Sequence, residues 1–103
     1  MSNASVREIR ESPWEQGADE ERDYVLDTGP WGGSPSSVVV KLFADDGEDV
    51  TDTLISGEPS INGDTVVTGL IGGLEVEREY RLEILFEHAG RVEEAWGIII
   101  CTK

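Results

Sequence analysis

The chain has one cysteine, one histidine and only two lysines, and each scarcity closes off a class of function. Cys101 alone cannot form an internal disulfide, which fits a reducing compartment. His88 has no second histidine to join it and falls at an expected hairpin tip, so zinc is not an expected ligand. Nor do His88 and Cys101 suggest a nucleophile pair, because Cys101 adjoins an isoleucine run and has the setting of a buried structural thiol. No apolar run approaches the roughly 20 residues of a membrane span. No basic-then-apolar leader is seen, so a location in the host cytoplasm or in a virion is expected.

Positive charge is the other deficit. Eight Lys and Arg stand against 22 Asp and Glu, a net charge of −14. Such a surface repels phosphate backbones and anionic membranes, so neither nucleic acid nor membrane is an expected partner. Salt adaptation, a basic protein partner or bound cations would each account for the excess. Gly69, Gly72 and Gly73 lack the Lys and Ser/Thr that a phosphate loop requires. No cofactor or metal is expected.

What is present is β-sheet patterning. Residues 1–4 contain Ser-Asn-Ala and resemble a cloning remnant; residues 5–103 are expected to be one domain. Ser5 to Gln16 reads as a short first strand with an arm, and Tyr24-Val25-Leu26 as a second short strand. Residues 27–35 are dense in Gly and Pro and must be a loop. Val38 to Phe43, rich in β-branched residues, reads as a strand buried on both faces. Val50 to Ile55 resumes strand character. Asn62-Gly63 between β-prone residues is a hairpin signal, because a type I′ turn needs positive φ at both central positions. The alternation from Tyr80 to Glu87 puts Tyr80, Leu82, Ile84 and Phe86 on one face. The closing strand, Val92 to Cys101, puts Trp96, Ile98 and Ile100 on one face.

The most specific fold signal is the segment from Leu74 to Tyr80 at the entry to that alternating strand. It resembles the tyrosine corner of β-sandwiches, in which a Tyr hydroxyl reaches back to backbone a few residues upstream. With about seven strands and a turn signal every 8–12 residues, the expected fold is all-β. It is an immunoglobulin or fibronectin III-like sandwich of two antiparallel sheets.

Four stretches carry a family resemblance. They are Leu26-Asp27-Thr28 with Trp31-Gly32; Ser34 to Lys41; Asp49-Val50-Thr51 on to Ser56 through Ser60; and Tyr80-Arg81-Leu82 with Ile99-Ile100-Cys101. From about Asp23 to Cys101 the chain is similar to small immunoglobulin-like proteins encoded by phages and prophages. That resemblance implies a non-enzymatic structural or interaction module, a virion or accessory component, and supplies no catalytic residues. A protein partner is expected, basic or belonging to a phage assembly, with pairing of open edge strands as one route to a homo-oligomer.

An enzymatic alternative rests on Asp27. Val25-Leu26-Asp27-Thr28-Gly29 resembles the active-site turn of retroviral-type aspartic proteases, homodimers in which paired aspartates share a proton. Leu70-Ile71-Gly72 matches that family's second element. The chain departs from the pattern at Pro30, in the short interval from Asp27 to Gly72, and in the Pro/Gly-rich loop where a strand should begin. As a strand-ending turn, Asp27 would accept a local backbone bond and Gly29 would take positive φ. Candidate contact residues are Trp31 and the acidic run Asp45, Asp46, Glu48 and Asp49. With Asp52 the run has oxygens for a cation, but not the spacing of an EF-hand loop. Trp14 reads as core filler or as a stacking surface.

Overall fold

The computed structural model describes residues 6–103, so the expected remnant at 1–4 lies outside the described residues. These contain ten strand segments where about seven strands are expected from sequence. The larger sheet contains β1 (Val6–Glu8), β2 (Trp14–Gln16), β4 (Ser36–Ala44), β9 (Glu79–His88) and β10 (Arg91–Cys101). β9 and β10 form a long antiparallel hairpin, and β4 pairs antiparallel with the far side of β9. β1 and β2 both run parallel to β10, one along Glu94–Trp96 and the other along Ile99–Cys101, so this sheet is mixed where two antiparallel sheets are expected from sequence.

The second layer is antiparallel ribbon. β3 (Val25–Asp27) pairs with β7 (Thr65–Val67), which pairs with β6 (Ser60–Asn62). β5 (Ile55–Ser56) pairs with β8 (Leu70–Ile71), and Ile71 also bridges to Arg22. Between these ladders the Thr68 N–H donates to the Tyr24 carbonyl, and the Tyr24 N–H donates to Thr68 Oγ1 at 2.9 Å. Residues 22–27 therefore run continuously beside 65–71. Gly69 is required where the ribbons meet: a Cβ there would lie 2.6 Å from the Ser56 carbonyl oxygen.

The core lies between the layers. Val40, Leu42 and Ala44 of β4, with Tyr80, Leu82, Ile84 and Phe86 of β9, face Tyr24, Leu26, Val66 and Ile71 of the second layer. Hydrophobic burial of these alternating side chains is the main stabilising term. The Tyr80 face is as the alternation requires. On β10 the inward face is Ala95, Gly97, Ile99 and Cys101, which leaves Trp96, Ile98 and Ile100 half-buried on the outer face. Gly97 makes room for the Trp14 ring, which also packs on Tyr24 at 4.7 Å between centroids.

Three local expectations are corrected. β4 is buried on one face only: Val39 is 49% exposed and Lys41 is exposed, because the second layer covers only the face that carries Val40, Leu42 and Ala44. Residues Thr51–Leu54 form one helical turn, α1, rather than strand; the Thr53 and Leu54 amides both donate to the Val50 carbonyl. The hairpin after β6 exists, but Asn62 pairs with Thr65, so Gly63 and Asp64 are the central residues. Only Gly63 has positive φ, at 63°, so one glycine meets the turn's demand where the type I′ reading required two such residues.

Candidate functional site

Asp27 ends β3 as an exposed residue whose Oδ1 accepts the Gly29 N–H at 2.9 Å. This local bond is what an aspartate at a strand end makes. The positive φ expected at Gly29 is instead found at Gly32 and Gly33, because residues Gly29–Trp31 form a short 3-10 turn first. The Asp64 carbonyl accepts both the amide and the hydroxyl of Thr28, at 2.8 and 2.6 Å, and Asp64 Oδ1 accepts the Ser34 N–H. Asp27 thus stands at the start of a loop tied down by the β6–β7 turn. Ile71 of the protease-like Leu70-Ile71-Gly72 is a fully buried strand residue paired with Ile55.

Trp31 closes the 3-10 turn and packs edge-on against Phe86, 5.7 Å between ring centroids. Gly32 lies directly beneath the His88 imidazole, leaving no room for a Cβ. The tryptophan is half-buried against the core and anchors its loop to the end of the β9–β10 hairpin.

The acidic run is held by turns and by one arginine. Arg78 donates to Asp45 at 2.7 Å and to Glu75 at 2.7 Å, and lies 3.5 Å from Asp46. Asp46 Oδ1 accepts the Glu48 N–H, and Asp49 Oδ1 accepts the Thr51 N–H. The Arg78 hydrogen bond, aided by the Glu79 amide, holds the Asp45 carboxyl below its ordinary pKa. Bonds from the Thr51 side chain and amide lower that of Asp49. Both are therefore anionic at neutral pH, and their bonds weaken only as acid protonates them. The carboxylates serve separate local bonds, and among the described residues no three His, Cys, Asp or Glu side chains converge on a metal position.

Arg78 ties this loop to the corner at Leu74–Tyr80. The Tyr80 hydroxyl accepts the Glu75 N–H at 2.9 Å, with Tyr80 2% exposed and Leu74 buried beside it. The arginine also lies over the Tyr80 ring, 5.9 Å from its centroid.

Two surfaces were not legible as sites in the sequence. On the outer face of the large sheet Arg81 stacks on Trp96 at 4.5 Å and pairs with Glu83 at 2.8 Å, beside a groove floored by Phe43 and Ile98. The second lies along β4, where Val38–Val40 line a groove with Ile55, Pro59 and the carboxylate-bearing Asp52 and Glu58. Its signal was the apolar run Val38 to Val40, which reads equally as a doubly buried strand. A buried polar cluster was also missed: Gln16 donates to the Ile71 carbonyl at 2.7 Å and accepts the Tyr24 hydroxyl at 2.7 Å. Burial pushes the Tyr24 phenol up to about 12.

No protein-family model and no curated protein matches the chain. No helix among the described residues is long and apolar enough to cross a membrane.

Proposed function

We propose that this chain is an immunoglobulin- or fibronectin III-like sandwich that works as a non-enzymatic structural or interaction module, a phage-related virion or accessory protein. The observation that carries the fold reading is the Tyr80 hydroxyl bonded to the Glu75 amide at the start of the central strand β9. Strand order supports it. β3, β7–β8 and β5–β6 correspond to strands B, E and D of such a sandwich, and β4, β9 and β10 to C, F and G. The split first strand, β1 and β2, lies parallel to β10.

The module reading follows from how the polar residues are used. Asp27, Asp45, Asp46 and Asp49 each hold a backbone amide or an arginine within the fold. What the molecule offers outward is sheet surface and strand edge, the features through which such folds bind proteins. The phage assignment rests on the resemblance of the four sequence stretches. It is tested by purifying particles from a phage or lysogen that carries the gene and searching them by mass spectrometry. Recovery of the chain in fixed proportion to the particles or their assembly intermediates is expected. Its absence from both would contradict the assignment.

A further inference from the structure

The backbone of β4 has two sides. Residues 39–44 all lie in register with β9, and antiparallel alternation gives the bonds to β9 to residues 39, 41 and 43. Leu42 and Ala44 point the other way: the Leu42 carbonyl accepts the Val50 N–H at 2.9 Å, and the Ala44 N–H donates to the Glu48 carbonyl at 2.8 Å. The Leu42 N–H donates to Thr51 Oγ1 at 2.8 Å. Residues 47–51 thus complete the sheet over the last turn of β4. The chain then leaves the edge, because Thr51–Leu54 coil into α1. The alternation that points Leu42 and Ala44 outward points the Val40 amide and carbonyl the same way, beyond the reach of this cover. They open into the groove formed with Ile55, Pro59, Asp52 and Glu58.

We infer that the open edge of β4 at Val38–Val40 receives an extended, positively charged segment of a partner protein, which adds to the sheet as a further strand. The inference rests on the module reading and names the surface and the chemistry of the partner. Main-chain bonds to Val40 would supply attachment, and the apolar walls at Val39, Ile55 and Pro59 would take alternate side chains. Charge decides the occupant. The groove carries the carboxylates of Asp52 and Glu58 and no Lys or Arg. A second copy would bring another chain of net charge −14 against the first; like charge across an interface is costly. A β-bulge between Ser36 and Val39, with Ser37 at φ 52°, ends regular pairing at the near end of the edge. The added strand is therefore short and the binding weak and salt-dependent.

The test is amide NMR on the labelled full chain with a hexapeptide that alternates lysine and valine. Slowed exchange at Val40, with chemical-shift changes at Val38–Val40, is expected. Asp52→Lys with Glu58→Lys, both at exposed positions, should weaken binding roughly tenfold. N-methylation of the peptide's pairing amides should abolish it. Equal binding of the N-methylated peptide, equal binding of a glutamate–valine peptide, or no binding up to about 1 mM would overturn the inference. Failure here with the chain still recovered in phage particles removes the edge site and leaves the module reading standing. Failure of both removes both.

Discussion

Tyr80 and Tyr24 carry the most specific residue-scale consequences. Tyr80→Phe removes the acceptor of the Glu75 amide and should cost roughly 0.5–1.5 kcal/mol in urea unfolding, more if that amide stays buried without a partner. An unchanged midpoint would mean the corner bond contributes nothing. The Tyr24 phenol sits at about 12 in the folded chain against 10.0 in the unfolded one. The unfolded state therefore releases this proton first as pH rises. Stability from the group is complete below pH 10 and is lost between about 10 and 12, on the order of 2 kcal/mol in all. Ultraviolet titration should show one phenolate forming late, and Tyr24→Phe should remove that step and flatten the alkaline loss. Asp27→Asn keeps an oxygen for the Gly29 amide, so its stability should change by less than about 0.5 kcal/mol. Loss of a proteolytic activity in that variant would instead support the aspartic protease reading. The corner was readable because a tyrosine at the start of an alternating strand is a local pattern. The Gln16–Tyr24 pair was not, since Gln16 is buried by the pairing of β2 with β10 and by its bond to Ile71, 55 positions away.

At the scale of elements, long strands with one polar face were legible and short or two-faced ones were not. β9 alternates between Tyr80-Leu82-Ile84-Phe86 and a face of Arg81, Glu83 and Glu87 broken only by Leu85, so its inward side is written in the sequence. β4 and β10 bear apolar side chains on both faces, and only their neighbours decide which is buried. Helical turn α1 spans four residues, too few to show a 3.6-residue period, and it forms because Asp49 and Val50 bind the amides of residues 51, 53 and 54. The β6–β7 turn was found but displaced by one residue, since Asn-Gly and Gly-Asp both satisfy a tight turn and the pairing of Asn62 with Thr65 chooses between them. The loop from Thr28 to Ser34 depends on Gly32, whose φ is 111° and whose missing Cβ admits His88. Gly32→Ala should cost roughly 1–2 kcal/mol from backbone conformation alone and release the Trp31 loop from Phe86. A drop in thermal midpoint together with increased accessibility of tryptophan to fluorescence quenchers is the expected result.

For the whole molecule, charge and open edges are the governing features. Net repulsion among 22 carboxylates outweighs the few ion pairs of Arg78 and Arg81, so added salt should stabilise the fold. Melting temperature is expected to rise with NaCl; a flat or falling curve would show the ion pairs dominating. The same charge opposes pairing of copies along the β4 edge. Amide hydrogen exchange of the free chain reads that edge directly. The Val39, Lys41 and Phe43 amides, bonded to β9, and those of Leu42 and Ala44, covered by residues 48–51, should exchange slowly, while the Val40 amide exchanges fast. Protection at Val40 equal to that at Lys41 would mean the edge is already closed, and would contradict a module that binds through it.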